Sequence, residues 1–211
     1  RAIQTLTKRD VRDVLNGIVD RGSPITANRL HAHLHTLFRW AVGEDIIQSN
    51  PMAGTKPPAP ETPRDRVLNA DEIKLLWGAT GAMDYPFGPM IRLLLLTGAR
   101  LREVAEMTRS EISADGKVWT LPAARSKNKI THTVPLSSKA QEIIEALPKI
   151  GKARLLFTTT GETPISGFTR ARSRVAQLMA EAANKVRGED EEPVVIPAFT
   201  LHDLRRTAAT G

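Results

Sequence analysis

The sequence predicts a mainly α-helical protein with a small antiparallel β-sheet, arranged as two domains. Three observations carry that reading. Apolar residues recur at three- and four-residue steps along most of the chain, the period of helices that bury one face. The period changes between 118 and 136, where two short runs have the character of strands. Pro51, Pro57, Pro58, Pro60 and Pro63 fall in a stretch with almost no large apolar side chain, which marks a semi-rigid linker. The expected divisions are a helical domain over 1–55, the linker over 56–66 and a second domain over 67–211.

In the first domain, Val11, Val14, Leu15 and Ile18 recur at helical spacing over 7–19, with Thr7 as N-cap and the Arg21-Gly22-Ser23-Pro24 run as stop. Thr26 caps a second helix whose apolar stripe is Leu30, Leu34, Leu37, Phe38 and Ala41, leaving Arg29, His33 and Arg39 off it. Past the linker, Asn69 followed three residues later by Glu72 forms a capping box for a helix carrying Ile73, Leu76 and Trp77. A buried helix over 86–96 is interrupted by Gly98 and resumes over 101–107. Strands are expected over 118–121 and 131–136, joined by a long basic tip at 122–130, with a further short strand over 154–157. Helices follow over 138–147 and 166–186, an exposed acidic loop over 189–192, and a last helix from Thr200. Trp40 and Trp77 are expected to pack in the core or at a domain edge.

Composition narrows the classes of function. With 41% hydrophobic and 25% charged residues the 211-residue chain is core-forming, and its longest apolar run, 93–96, is far below the ~20 residues of a membrane span. The lack of cysteine excludes disulfides, a thiol nucleophile and cysteine zinc sites, and fits a reducing compartment. Lys and Arg outnumber Asp and Glu by 30 to 23, so a polyanionic partner is indicated. The chain starts at Arg1 and stops at Gly211 in a helix-like run, and is therefore read as a piece of a longer protein. Its single tyrosine is Tyr85.

Three local patterns can carry chemistry. The hairpin segment 118–139 holds Arg125, Lys127, Lys129 and Lys139 and no acidic residue, a basic tip that is equally a solvated loop. Gly98 breaks an apolar helix just before Arg100, and Glu103 follows three residues later, a spacing that suits an arginine held in place as a bidentate phosphate ligand or as one half of a structural ion pair. At the start of the last helix, His202 and Arg205 share a face where backbone N–H groups favour an anion, although a surface His and Arg read the same way. His31 and His35 share a helix face at four-residue spacing, but no third ligand is near, so they are taken as polar or DNA-facing and no metal is assigned.

In this order the pieces resemble the tyrosine recombinase, or phage-type integrase, family. LLLLTGARLREV is similar to that family's first arginine box, placing Arg100 on the catalytic position and Glu103 on the supporting acid. SKNKITHTVPL resembles its hairpin lysine segment, with Lys127 on the catalytic lysine, and LHDLRRTAAT resembles its His-x-x-Arg box, with His202 and Arg205 on the paired positions. Upstream, TANRLHAHLHTLFRWAVGEDIIQSNPM is similar to the second half of the helical core-binding domain.

The resemblance implies a two-domain clamp on double-stranded DNA and strand exchange by transesterification, without metal or cofactor, through a 3′-phosphotyrosyl intermediate. Arg100 and Arg205 would stabilise the phosphorane charge, Lys127 would protonate the leaving oxygen, and His202 would position the nucleophile or bond the phosphate. Arg29, His33, Arg39, Arg125 and Lys129 are expected DNA contacts. The family's tyrosine follows its His-x-x-Arg box, so the nucleophile is expected after residue 211, and Tyr85, upstream of the first arginine box, is not assigned to the role. The family further implies a tetramer on DNA formed through that later segment, and a cytoplasmic, nucleoid-associated place in a bacterial or mobile-element host. Rival readings are a non-catalytic DNA-binding regulator of the same fold, a type IB topoisomerase-like enzyme and a helical scaffold without DNA. The expected outcome for this chain is salt-dependent binding to duplex DNA and no covalent adduct on a nicked suicide duplex, with an adduct through Tyr85 overturning its exclusion.

Overall fold

The computed structural model describes residues 2–62, 65–152, 154–185 and 192–210. The chain divides into two compact units, 1–64 and 65–211, each with its own apolar core.

In the first unit, helix α1 (Lys8–Asp20) packs against α2 (Pro24–Gly43). A reciprocal box opens α1: the Asp10 N–H donates to Thr7 Oγ1 at 3.3 Å, and the Thr7 N–H donates to Asp10 Oδ2 at 2.9 Å. Helix α2 starts before the Thr26 expected to cap it, because Pro24 occupies the first turn, where a missing N–H leaves no bond unmade. The core is built from Val11, Leu15, Phe38, Ala41, Ile47 and Met52. Val14 and Leu37, expected inside, are 55% and 44% exposed, and Trp40, expected to pack, is 54% exposed. The buried line on α2 is Ala27, His31, Phe38 and Ala41, and Leu37 lies about 100° around the helix from Phe38.

The proline-rich stretch is docked at its start. Asn28, buried on α2, donates to the Ala59 carbonyl at 2.7 Å and accepts from the Ala59 N–H at 3.0 Å. His31 Nε2 lies 2.8 Å from Thr55 Oγ1. These side chains satisfy the backbone and hydroxyl groups of a segment whose prolines cannot join a ladder.

The second unit is organised around α4 (Phe87–Thr97), which packs against α3 (Ala70–Gly81), α5 (Leu101–Ala105), α6 (Ser138–Glu145) and α8 (Leu201–Thr210). Its Met90, Ile91 and Leu93 are wholly buried, which explains a helix apolar on nearly every side. Helix α7 (Phe168–Lys185) covers α3. Strands β1 (Val118–Leu121) and β2 (His132–Pro135) pair antiparallel, Val118 opposite Pro135 and Leu121 opposite His132. Trp119, Leu121 and Val134 turn inward.

Arg92 closes the C-terminal end of α3, stacking on Trp77 at 4.7 Å and donating to the Trp77 carbonyl at 2.9 Å. The side chain of Thr207 on α8 accepts the Leu68 N–H at 3.0 Å, tying the start of the unit to its last helix.

Three expectations change. The resumed helix ends at Ala105, two residues short of the expected end, and the long helix begins at Phe168 rather than at 166. The expected strand over 154–157 forms only an isolated bridge, Leu155 with Thr108. Its neighbour turns at once into a 3-10 helix, Arg109–Glu111, so no extended partner continues the ladder. Of the acidic loop expected over 189–192, residues 189–191 lie outside the described residues, and Glu192 is exposed.

Gly88, in the first turn of α4, is required by close approach: a Cβ there would meet the Met83 and Thr80 backbone carbonyl oxygens, 2.5 Å from the latter. Gly88→Ala is therefore expected to lose about 3 kcal/mol of stability. Gly78→Ala, on an open side of α3, should gain about 0.5–1 kcal/mol. Urea denaturation of the two variants measures the contrast.

Candidate functional site

Gly98 ends α4 in the left-handed conformation, φ 59°, with its N–H returning to the Leu94 carbonyl at 3.0 Å. The reversal buries Ala99 and sets Arg100 at the N-cap of α5. Glu103 holds it there twice: the Arg100 N–H donates to Oε2 at 2.9 Å and Arg100 Nη1 donates to Oε1 at 2.8 Å. From α8, Arg205 Nη1 donates to the Gly98 carbonyl at 2.7 Å. Two arginines far apart in sequence thus meet at one glycine-centred turn.

Arg100, Glu103 and Arg205 line a cavity of about 290 Å³, whose wall continues through Ser126, Asn128 and His132 of the hairpin. Glu103 is 6% exposed. Burial pushes its carboxyl pKa up, but the backbone and side-chain hydrogen bonds from Arg100 and the charges of Arg100 and Arg205 outweigh burial and hold it below its ordinary value. An ionised carboxylate beneath two guanidinium groups leaves the cavity cationic and shaped for an oxyanion.

The other expected residues distribute differently. Lys127 is exposed on the tip and does not line the cavity. His202 is exposed in a separate depression with Leu101, Phe168, Thr169 and Arg172. At the start of α8 the buried Asp203 accepts the Thr200 N–H at 2.7 Å, so that end of the helix already faces a carboxylate.

Arg125, expected to touch DNA, faces inward. Its Nε and Nη2 each lie 2.8 Å from a Glu111 oxygen, and Nη2 also donates to the Glu103 carbonyl at 3.0 Å. The bidentate fit to a buried carboxylate is stronger than exposure to solvent would be. Lys139 pairs with Glu142 at 2.6 Å, so Lys127 and Lys129 carry the tip's unneutralised charge. Lys129 is exposed at φ 55°.

In the first unit Arg29, His33 and Arg39 are all exposed, away from the buried line of α2. Arg29, His33, Thr36 and Trp40 recur at steps of four, three and four, which is one helix face. The sequence reading missed Trp40 there, although the same step count applied to the polar residues would have found it. His31 and His35 have ring centroids 6.4 Å apart, and among the described residues no three His, Cys, Asp or Glu are grouped for a metal.

Tyr85 is committed elsewhere. Its hydroxyl donates to the Thr158 carbonyl at 2.6 Å and accepts the Thr158 N–H at 2.8 Å, bracing the chain after Phe157. It does not line the arginine cavity. No helix among the described residues is long and apolar enough to cross a membrane.

Comparison with known proteins agrees with this geometry. The phage integrase family matches residues 66–211, and the phage integrase central domain matches residues 1–57. The chain belongs to the phage integrase family. As a member of these tyrosine recombinases it is 25% identical to the integrase of Enterobacteria phage 434, over 98% of this chain and 56% of that protein. It is 30% identical to a putative integrase/recombinase of Haemophilus influenzae over 71% of this chain and 43% of that one. The integrase-family chain thus spans about half the length of these relatives. Its fold is that of a lambda integrase dimer bound to a core site (TM-score 0.70, 22% identity, 99% of this chain and 71% of that one). It is similarly that of the Tn1549 transposon integrase in complex with circular intermediate DNA (TM-score 0.73, 17% identity, 99% and 73%).

Because the folded Glu103 carboxyl holds its proton less tightly than an unfolded one, it adds stability that is complete above its ordinary value of 4.5 and is lost as the pH falls through the depressed folded value. Urea midpoints measured from about pH 3 to 7 should therefore fall less steeply below 4.5 in Glu103→Gln than in the parent. Part of the slope remains, because Glu72, raised by burial but lowered further by Arg66 and the Asn69 N–H, shifts the same way.

Proposed function

We propose that this integrase-family chain is the DNA-binding and phosphate-activating part of a site-specific recombinase that cuts and rejoins duplex DNA by transesterification. One observation supports the reading above the others: Arg100 and Arg205 converge on one cavity with a buried carboxylate beneath them. A scissile phosphate there would meet two preorganised cations, and the charge that builds on its non-bridging oxygens would be stabilised without a metal.

In this reading the nucleophilic tyrosine attacks phosphorus and the 5′-oxygen leaves as a hydroxyl, taking its proton from Lys127. Ser126 and Asn128 flank that lysine and already line the cavity, so closure of the tip over bound DNA would bring its ammonium to the leaving oxygen. His202 is the candidate to orient the nucleophile. In the first unit the exposed face of Arg29, His33 and Trp40 would contact duplex DNA, with Arg39 and Lys129 adding phosphate contacts. Assembly into a tetramer would rest on the segment after residue 211.

The test has two arms. In this chain, Arg100→Ala and Arg205→Ala should each weaken duplex binding about tenfold and lower the salt slope by about 0.9, as expected when one fewer phosphate is neutralised. Fluorescence anisotropy across a salt series measures both, and unchanged slopes would sink the assignment. In a form extended through the segment after residue 211, the same substitutions should slow adduct formation on a nicked duplex by about 10²–10³. A binding-only regulator would bind DNA and form no adduct even when extended. A topoisomerase-like enzyme would relax supercoils without exchanging strands between sites.

A further inference from the structure

The base of the hairpin tip is pinned by a buried polar cluster that the reaction outlined above does not use. Arg125 stands two residues before Lys127, and its side chain is 21% exposed. It grips both oxygens of Glu111 at 2.8 Å and the backbone carbonyl of Glu103 at 3.0 Å. Glu111, itself 8% exposed, also accepts the indole N–H of the fully buried Trp119 at 3.0 Å and the Thr108 N–H at 3.4 Å. Arg125 Nη1 is buried, 3.9 Å from Glu106 Oε2, with no hydrogen-bond partner among the described residues. One guanidinium therefore joins the tip, strand β1, the 3-10 turn at Arg109–Glu111 and helix α5.

We infer that Arg125 is a positioning residue, which fixes the root of the tip to the helix carrying Arg100 so that only the segment around Lys127 moves when DNA is bound. The inference rests on the proposed role of the cavity and of Lys127. The Glu103 whose carbonyl Arg125 holds is the residue whose carboxylate holds Arg100. A shift of the tip's root would therefore be felt at both ends of the proposed reaction. Just past Arg125 the backbone is already turned, with the Ser126 N–H on the Pro122 carbonyl at 3.1 Å and the Lys129 N–H on the Ser126 carbonyl at 3.0 Å. This leaves a short lever rather than a floppy loop. Charge alone does not supply this, because lysine cannot present two parallel donors to one carboxylate.

The test separates positioning from a direct DNA contact and from simple stabilisation. Arg125→Lys keeps the charge and breaks the fork, while Glu111→Gln weakens the same fork without touching any residue assigned to DNA. In complex with a mixed-sequence duplex, amides 126–131 should exchange about tenfold faster in both variants, measured relative to the β1 and β2 amides. The Trp119 indole N–H resonance should move while those of Trp40 and Trp77 stay in place. Duplex affinity and salt slope should match the parent. A slope lowered by about 0.9 in an Arg125→Ala variant would make Arg125 a phosphate contact and overturn the inference. Tip exchange that rises only in step with the strands would leave a structural pair and overturn it too. Arg100→Ala in the same titrations reports on the cavity: if it leaves DNA binding unchanged, the functional reading fails independently of the tip result.

Discussion

Two guanidinium groups facing one cavity repel each other, and the structure resolves that repulsion with the buried carboxylate of Glu103. It caps the first turn of α5 through the Arg100 N–H, binds the Arg100 side chain and feels the charge of Arg205. Removing one partner of such a buried set costs about 3–5 kcal/mol, because the remaining charge stays desolvated. The arrangement therefore ties the stability of the second unit to the cationic character of its cavity. An oxyanion entering the cavity would find both arginines already oriented, with little ordering left to do on binding.

That carboxylate is placed by backbone geometry. Gly98 takes a left-handed turn at the end of α4, and the turn frees a carbonyl for Arg205 while setting Arg100 at a helix start. Helix α4 is rigid because neighbours on all sides bury it, and α8 lies against it. The would-be Cβ of Gly98 is 3.4 Å from Ala208 of α8, so the small residue also permits the two helices to approach. Core packing and site geometry are the same contacts seen from two sides.

Legibility in the sequence followed how local the deciding interaction is. The capping boxes at Thr7 with Asp10 and Asn69 with Glu72 involve groups three residues apart, and both form. The Arg100 and Glu103 pair is equally local and equally visible. Arg125 was misread because its partner, Glu111, precedes the strand and is brought round by the 3-10 turn, so an acid-free segment looked like a free basic patch. Trp40 and Leu37 were misplaced because helical period alone fixes spacing but not which side of an amphipathic helix meets a core. The expected strand over 154–157 failed for want of an extended neighbour, which no property of that run could reveal.

The sequence by itself determined a helical chain with one hairpin, the residues Arg100, Glu103, Lys127, His202 and Arg205, and the family they resemble. These follow from residue type and short-range spacing, which the covalent chain carries directly. Only the tertiary structure decided that Arg100 and Arg205 share a cavity while His202 and Lys127 stand outside its wall, and that Arg125 turns inward to Glu111. The physical reason is that a charged side chain settles where its nearest buried counter-charge lies, and that distance is set by packing around α4, not by position in the chain.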